Sequence, residues 1–315
     1  MSEALRVLVA GGAGQVGQET QRLDGAAAFD ADGAPVAASV TALGRADLDI
    51  TDTEGVAQAL DAHRPEAVVN AAAWTAVDRA ESERDSAFAV NEGGAGRLAA
   101  ACAARGVSLV HLSTDYVFSG DADGPYAPGA PTAPVNVYGA SKAAGEAAVR
   151  AAGGAHTVLR TAWVLSGHSP GFVRTMLRLA RERAPGGARA GEPLRVVADQ
   201  WGHPTPAAAV AQAALQAAAR LSRGSESERL AAVGTHHVGG EPPATWHALA
   251  VAIVAAAGLD VRVEPIPTSA YPTPARRPAR VELALGASRD ALGLRPVRWA
   301  SALAGLVAEA FQTHL

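Results

Sequence analysis

Tyr138 and Lys142 carry the strongest chemical signal in this chain of 315 residues, because they lie four positions apart. A helix places residues i and i+4 on one face. An isolated phenol, with a pKa of about 10, is a poor acid at neutral pH, but a neighbouring ammonium lowers that pKa and lets the hydroxyl exchange a proton with a carbonyl or alcohol oxygen. Lys142 is the only lysine among 27 basic residues, so chance explains its position poorly. A pair of exposed side chains on a surface helix is the alternative interpretation.

Two hydroxyl side chains, Ser113 and Thr114, follow a predicted buried strand. Ligands of open parallel sheets bind beyond the carboxyl ends of the strands. We therefore expect one of these hydroxyls to hydrogen-bond the substrate oxygen on which Tyr138 acts. Capping of the following turn is the alternative role, and it suits Ser113 better than Thr114.

A glycine-rich loop, formed by Gly11, Gly14 and Gly17, follows the first predicted strand and precedes a predicted helix. Glycines allow a tight turn and let the main chain approach a pyrophosphate, which then lies on the positive N-terminus of the helix. In this context the loop, with Gln15 and Val16, predicts a dinucleotide site. The three-residue spacing of the first two glycines is typical of short-chain dehydrogenases/reductases. A simple glycine-rich turn is the alternative.

The residues after the second predicted strand bear on the choice of cofactor. No carboxylate ends that strand to bind a ribose 2′-hydroxyl, whereas Arg45 could neutralise a 2′-phosphate, so the sequence favours NADPH. NADH stays open, because Arg45 can also be interpreted as a solvated surface residue. Asp49 and Ile50 are predicted to flank the adenine. Three small residues let the cofactor pass close to the end of the third strand, unless they form an ordinary loop: Ala71, Ala72 and Ala73.

Strands that alternate with helices must position these groups. The spacing predicts βαβ units and an α/β fold, with a Rossmann-type doubly wound parallel sheet and a smaller C-terminal α/β substrate lobe. Residues 1–163 and 205–239 are assigned to the NADP(H)-binding domain, and residues 164–204 and 240–315 to the substrate lobe. Strands are predicted at 5–10, 36–43, 67–70, 107–112, 156–160, 194–198 and 235–238, and helices at 14–23, 87–105, 137–150, 172–183 and 207–220. Residues 24–34 and 222–228 are predicted to be connections, and Thr51–Glu54 has the spacing of a capping box.

The composition excludes several classes of protein. With 49% hydrophobic and 18% charged residues, the chain can bury a core and is not disordered. A net charge of −4 argues against nucleic-acid binding. No apolar run reaches the roughly 18 residues that a membrane span needs, and the single cysteine, Cys102, cannot form an internal disulfide. We expect a soluble cytoplasmic protein with no nucleic-acid or membrane partner.

Taken together, these motifs resemble the dTDP-4-dehydrorhamnose reductase family of extended short-chain dehydrogenases/reductases. The resemblance covers most of the chain, and two of its motifs lie outside the cofactor loop region. The motifs that carry it are Gly11–Gly17, Asn70–Asp78, Ser113–Phe118, Pro134–Gly139, Arg160–Val164, Asp199–Thr205 and Tyr271–Pro278.

The resemblance implies hydride transfer from the nicotinamide to C4 of a dTDP-4-keto-6-deoxyhexose. Tyr138 would donate the proton to the C4 oxygen, Lys142 would tune Tyr138 and hold the nicotinamide ribose, and Thr114 would polarise the carbonyl. Asp115 and Trp163 match positions that contact the sugar in this family. The substrate that the resemblance implies is dTDP-4-dehydro-L-rhamnose, and a homodimer is a further hypothesis.

Two arginines in the small lobe, Arg276 and Arg277, are predicted to bind the diphosphate of the substrate. The glycine loop is already assigned to the cofactor's own pyrophosphate, so the substrate needs a second cationic contact. Pro274 and Pro278 restrict the backbone around the pair, which lowers the entropy lost on binding. Two solvated arginines on a loop are the alternative interpretation.

The sequence departs from the family pattern at several positions. Leu165 stands where an aromatic residue is common. Some members of the family bind magnesium between subunits, and Glu19 matches one part of that site, but Glu192 and Pro193 displace another acid. We therefore predict no metal.

Three other functions are compatible with parts of the pattern. A sibling reductase for another dTDP-4-keto sugar, as in antibiotic deoxysugar biosynthesis, would share every motif. A nucleotide-sugar 4,6-dehydratase needs an acid pair after Thr114, whereas Asp115 is followed by Tyr116. A catalytically inactive, reductase-like regulatory subunit has no physical reason to keep Thr114, Tyr138 and Lys142 together.

Overall fold

A computed structural model describes residues 3–25, 27–29 and 35–313 of the chain. The strands are β1 (Leu5–Ala10), β2 (Ala27–Phe29), β3 (Pro35–Leu43), β4 (Ala67–Asn70), β5 (Ser108–Thr114), β6 (His156–Thr161), β7 (Val164–Leu165), β8 (Leu194–Val197), β9 (Trp201–Gly202), β10 (Thr205–Pro206), β11 (Gly234–His237), β12 (Gly240–Glu241), β13 (Ala244–Thr245), β14 (Val263–Ile266) and β15 (Val297–Arg298). The α-helices are α1 (Gln15–Arg22), α2 (Thr53–His63), α3 (Val77–Ser82), α4 (Arg84–Phe88), α5 (Ala95–Ala104), α6 (Val137–Ala152), α7 (Phe172–Arg183), α8 (Ala207–Arg223), α9 (Glu226–Ala232), α10 (Trp246–Ala256), α11 (Gly286–Leu292) and α12 (Trp299–Gln312).

Seven strands form a central sheet in the order β11-β6-β5-β4-β1-β3-β2. The first six run parallel, and β2 pairs antiparallel with β3 at the edge. The chain leaves β1 toward β3 on one side and later returns to β4 on the other. This reversal of strand order opens a crevice at the carboxyl ends of β1 and β4, which is where open α/β sheets bind ligands.

Alternate residues of β1 enter different apolar layers, because successive side chains of a strand point to opposite faces. Val7 and Val9 pack in a cluster with α8, whereas Leu8 packs with residues of α2 and α5 on the other face. Both faces of the parallel sheet are thus covered, which explains the nearly continuous apolar sequence of its strands. The predicted doubly wound α/β fold is confirmed.

A second apolar cluster lies outside the central sheet. It gathers buried residues of α7, β8, α10 and α12, including Leu177, Leu249 and Leu303. This cluster falls in the segments assigned to the substrate lobe, although Leu292 of α11 packs in the cluster of the central sheet. The domain boundaries stay a prediction.

Three local predictions are wrong. The connection predicted at 24–34 contains β2, although residues 26 and 30–34 lie outside the described residues. Helix α2 is capped by Asp52, which accepts a hydrogen bond from the Glu54 amide, so a capping box does not begin at Thr51. The connection predicted at 222–228 is interrupted by α9, and it is there that a capping box forms, between Ser225 and Glu228.

The helix predicted at 87–105 is not uniformly α-helical. A π-helical turn at Ala89–Gly94 separates α4 from α5. Such wide turns often occur at functional sites, and this one places Asn91 toward α6. No described helix is long and apolar enough to span a bilayer.

Candidate active site

A cleft of about 570 Å³ lies at the carboxyl end of the central sheet. It gathers the predicted residues of the glycine loop, the adenine end, the alanine segment and the catalytic motifs, and leaves out Arg276 and Arg277. The predicted residues that line it are Gly11, Gly14, Gln15, Val16, Gly17, Arg45, Asp49, Ile50, Ala71, Ala72, Ala73, Ser113, Thr114, Asp115, Tyr138, Lys142 and Trp163.

The glycine loop is packed too tightly for side chains at two of its positions. Gly11 has φ +90°, and a Cβ there would lie 2.6 Å from the Ala72 nitrogen. A Cβ on Gly17 would lie 2.3 Å from the Gly11 carbonyl oxygen. Gly14 caps α1 without a side-chain hydrogen bond, so the first amides of the helix are available to an anion. The loop therefore has the compact turn and the helix N-terminus that a pyrophosphate requires.

Three buried polar atoms of the cleft have no hydrogen-bond partner within the described part of the chain: Gln15 Oε1, Trp74 Nε1 and Thr161 Oγ1. Buried polar groups are normally paired, so these atoms indicate a wall built to receive a polar ligand. Together with the glycine loop, they fit a dinucleotide and a polar substrate.

Arg45 and Asp49 form an ion pair at the outer end of the cleft. Arg45 Nε donates to Asp49 Oδ2 over 3.2 Å, and the arginine side chain is 76% exposed. Hydrogen bonds from the main chain and side chain of Thr51 lower the pKa of Asp49, and Arg45 contributes further. Because an exposed ion pair is worth little, Arg45 can exchange this partner for a phosphate.

Tyr138 and Lys142 both lie on α6, as predicted. Asn136 caps the helix by accepting a hydrogen bond from the Gly139 amide over 2.7 Å. Lys142 is 2% exposed, and its Nζ donates to the Leu112 carbonyl over 2.7 Å. This burial excludes the interpretation of Lys142 as a solvated surface cation.

The predicted lowering of the Tyr138 pKa is not found, because its pKa is raised overall. Burial raises the pKa of Tyr138 to about 12. A hydrogen bond with Thr114 lowers this pKa, whereas the charge of Asp115 raises it further. Burial also lowers the pKa of Lys142 to about 8, although the Glu146 charge opposes it. Burial is the largest cause of both shifts, and Tyr138 therefore holds its proton at neutral pH.

Thr114 and Asp115 are coupled at the end of β5. Thr114 Oγ1 donates to Asp115 Oδ1 over 3.0 Å and accepts from the Tyr116 amide over 3.2 Å. The capping role expected of Ser113 therefore falls to Thr114. Burial raises the pKa of Asp115 to about 7, despite the opposing hydrogen bond from Thr114.

Ser113 faces a buried ion pair beneath the cleft. Its hydroxyl donates to Glu146 Oε1 over 2.6 Å, and Arg160 binds both oxygens of the same carboxylate over 2.8 and 2.7 Å. Burial raises the pKa of Glu146, but the hydrogen bond and charge of Arg160 outweigh it and keep the pKa low. The Ser113 proton is thus engaged, so a substrate contact of this residue would use its oxygen as an acceptor.

Trp163 has an unusual backbone, with φ +44°. Left-handed conformations of residues other than glycine cost about 1–3 kcal/mol and concentrate at functional sites. The indole stacks on Trp246, with ring centroids 3.5 Å apart and an interplanar angle of 9°. Both indoles line the cleft.

Arg276 and Arg277 lie outside the cleft lining. Arg277 makes two hydrogen bonds to the carboxylate of Asp78, over 2.6 and 2.9 Å. It also contacts Tyr116, a cleft residue, through a side-chain hydrogen bond. Arg276 is exposed, and its carbonyl accepts from Asn136 over 2.8 Å. Their predicted role in diphosphate binding stays a prediction.

Glu19, His168 and Glu309 form a cluster away from the cleft, with one potential ligand atom of each within 4.8 Å of the others. Arg22 donates to Glu19 over 2.8 Å and to Glu309 over 2.5 Å. The Arg22 guanidinium thus already pairs with both carboxylates, although its single positive charge balances only one of them. The prediction of no metal stays a prediction.

Sequence reasoning assigned no role to three further cleft residues, Trp74, Thr161 and Trp246, or to Asn91. The side-chain oxygen of Asn91 accepts from the main-chain amide of Trp74 over 2.8 Å, and its side-chain nitrogen donates to Ser141 Oγ on α6 over 2.9 Å. It therefore ties one wall of the cleft to the helix that bears Tyr138. The π-helical turn that places Asn91 has no periodic signal in the sequence.

Comparison with known proteins agrees with this geometry. The family model described as the RmlD substrate binding domain matches residues 5–312. A dTDP-4-dehydrorhamnose reductase from Burkholderia thailandensis is 42% identical over 94% of this chain and 95% of its own length. A dTDP-4-keto-6-deoxy-D-glucose reductase from Streptomyces niveus is 42% identical over 84% of this chain and 86% of its own length.

A crystal structure of dTDP-4-dehydrorhamnose reductase from Bacillus anthracis, in complex with NADP, is 31% identical, with a TM-score of 0.82 over 98% of this chain and 100% of that chain. The family match and the relatives extend over both the central sheet and the second apolar cluster. The chain belongs to the dTDP-4-dehydrorhamnose reductase family.

Proposed function

We propose that this chain is an NADPH-dependent oxidoreductase that reduces the C4 keto group of a dTDP-4-keto-6-deoxyhexose. The substrate we favour is dTDP-4-dehydro-L-rhamnose, and the product is dTDP-L-rhamnose. The names of the relatives support this class of substrate. A cytoplasmic location and a homodimer complete the proposal, and the single buried Cys102 is compatible with a reducing compartment.

One observation carries the proposal. Thr114, Tyr138 and Lys142 line the same cleft as the glycine loop, at the carboxyl end of the sheet. The lone lysine of an arginine-rich chain is buried there, at a cost in desolvation that a scaffold protein would have no reason to bear. A catalytically inactive subunit is therefore the weaker interpretation.

The proton steps follow from the local chemistry. A bound nicotinamide supplies the hydride that adds to C4. The Tyr138 hydroxyl gives its proton to the C4 oxygen, and its raised pKa keeps it protonated before the reaction. Thr114, which hydrogen-bonds Tyr138, orients the donor and the carbonyl oxygen. The Lys142 ammonium, on the same helix as Tyr138, stabilises the phenolate that remains.

The other residues of the proposed site bind the cofactor and the substrate. The glycine loop holds the cofactor pyrophosphate, with Gln15 and the alanines after β4 beside it. Arg45 turns from Asp49 to the 2′-phosphate, which gives the preference for NADPH. Asp115 and Trp163 contact the sugar. The segments 164–204 and 240–315 form the substrate lobe, with Arg276 and Arg277 toward the diphosphate.

A second candidate substrate is favoured by the relative from Streptomyces niveus, which is named for dTDP-4-keto-6-deoxy-D-glucose. That relative and the Burkholderia thailandensis reductase are equally similar to this chain, at 42% identity. The reacting C4 carbonyl is common to both sugars. The choice between them depends on the sugar-binding wall of the cleft.

The experiment offers each of the two keto sugars separately with NADPH or NADH. Oxidation of the cofactor is followed by its near-ultraviolet absorbance, and the product is identified by NMR. We expect the highest kcat/KM with NADPH and dTDP-4-dehydro-L-rhamnose. Oxidation with neither sugar would refute the reductase, and a higher kcat/KM with dTDP-4-keto-6-deoxy-D-glucose would transfer the assignment to the sibling activity.

A further inference from the structure

The Trp163 indole is held on two sides by residues that are remote in sequence. Trp246 stacks on its face, with centroids 3.5 Å apart. Gly202 packs against the opposite face at the Cε2–Nε1 bond, where a Cβ would lie 2.6 Å from Cε2 and 2.7 Å from Nε1. We call Gly202 and Trp246 the Trp163 clamp.

Short strand pairs build this clamp. The antiparallel pair β9–β13 sets Gly202 opposite Ala244. Thr245, which also belongs to β13, caps α10 by accepting from the Ala248 amide over 3.0 Å, and Trp246 is the first residue of that helix. The same ladder therefore fixes both members of the clamp relative to each other.

Trp163 itself is anchored from another direction. Its carbonyl accepts from the Thr205 amide over 3.0 Å, where β7 pairs with β10. Its left-handed φ redirects the chain between β6 and β7, so the indole points into the cleft instead of continuing a strand. Phe172 supports Trp246 from the side, with ring centroids 4.6 Å apart.

We infer that Gly202 and Trp246 are positioning residues, which hold the Trp163 indole in the one orientation that receives the sugar. The inference rests on the proposed function for the identity of the ligand. Because the clamp covers both faces, the indole meets the sugar by its edge, and it does so at a fixed position only if the ring cannot turn away. The clamp removes that freedom before binding, so that less entropy is lost when the sugar binds.

Gly202→Ala tests the clamp from the face opposite Trp246. Gly202 does not have a positive φ, so alanine perturbs the contact and not the backbone. The indole has to move by roughly 1 Å, and a displacement of this size can cost on the order of 100-fold in rate. We expect kcat/KM for the keto sugar to fall ten- to hundredfold, while the Kd of NADPH is unchanged. Gly305→Ala, at an exposed position of α12 with open space at the Cβ position, is the matched control.

Trp246→Leu tests the stacked face, and Trp246→Phe should restore part of the lost activity because phenylalanine can still stack. Trp299→Phe controls for general weakening of the second apolar cluster, because Trp299 is buried in that cluster but does not line the cleft. We expect the KM for the sugar to rise at least tenfold in Trp246→Leu, with the KM of NADPH unchanged. An unchanged sugar KM in folded Gly202→Ala and Trp246→Leu would overturn the inference.

Circular dichroism provides a readout that does not depend on activity. Two indoles stacked at 3.5 Å couple their electronic transitions, and we expect a far-ultraviolet couplet that disappears in both Trp163→Phe and Trp246→Leu and weakens in Gly202→Ala. If the wild type shows the couplet but reduces no keto sugar, the proposed function fails and the clamp stands. If the wild type is active and Trp246→Leu leaves the couplet unchanged, the clamp fails alone.

Discussion

Asp115→Asn should stabilise the protein at alkaline pH, because the native carboxylate is buried beside Thr114 at the end of β5. Asp115 is 3% exposed, and burial raises its pKa from 3.8 to about 7. An acid whose pKa is raised on folding costs nothing while both states are protonated. It costs stability increasingly as the pH rises from the unfolded to the folded pKa. A shift of this size lowers the free energy of unfolding by about 4 kcal/mol once the carboxyl is ionised in both the folded and the unfolded state.

From these two pKa values, the free energy of unfolding of the wild type falls by about 2–3 kcal/mol between about pH 5 and about pH 8.5. The asparagine variant avoids this loss. Asparagine keeps an oxygen that can accept the hydrogen bond from Thr114, so the change isolates the charge. Urea denaturation at both pH values measures the free energy of unfolding of each protein. We expect the variant to gain on the wild type by this amount as the pH rises, and to lose affinity for the sugar.

Asp199→Asn is a control of opposite sign. Burial raises the pKa of Asp199, but hydrogen bonds from Thr268 outweigh it and lower the pKa overall. A lowered pKa contributes stability that is present above the unfolded pKa and lost in acid, so this variant should be less stable than the wild type near neutrality. A free energy difference between Asp115→Asn and the wild type that stays constant with pH would refute the reasoning about the buried carboxylate.

The other predictions concern catalysis and binding. Tyr138→Phe should reduce kcat by about 10²–10⁴-fold, and isothermal titration should find NADP affinity nearly unchanged; a kcat close to that of the wild type would exclude Tyr138 as the proton donor. Lys142→Arg keeps the charge but not the compact ammonium, so we expect a large fall in kcat and a displaced pH–rate profile, and identical profiles would reduce Lys142 to a structural role. Arg45→Ala should weaken NADPH by about 1.5–3 kcal/mol and leave NADH unaffected; equal losses for the two cofactors would place Arg45 away from the 2′-phosphate. Arg276→Ala or Arg277→Ala should raise the KM of the dTDP-sugar about tenfold or more at saturating NADPH, and if neither does, the diphosphate is bound elsewhere.

The fold could be predicted because its signals are local. Strands β1 and β4 are short apolar runs, and the glycine loop directly follows the first of them. The same locality explains the errors. Strand β2 depends on pairing with β3, and α9 starts at a capping box in a polar segment that otherwise reads as a connection. The π-helical turn near Asn91 depends on contacts with α6, where a Cβ on Gly145 would lie 2.0 Å from the Asn91 carbonyl oxygen.

In the candidate site, too, local sequence predicted some features and not others. Residue type and spacing predicted that Tyr138 and Lys142 share one face of a helix at the cleft, and the structure places both there. They could not predict the direction of the pKa shift of Tyr138, since its largest cause is burial, which depends on the whole fold.

Trp163 shows most clearly what a sequence motif cannot predict. Its place in a family motif predicted contact with sugar, yet its orientation depends on Gly202 and Trp246, which are 39 and 83 positions away. A motif specifies which group acts, whereas the contacts that fix the position of that group come from the rest of the fold. The specificity of this site between two closely related keto sugars is therefore expected to depend as much on the second apolar cluster as on the catalytic helix.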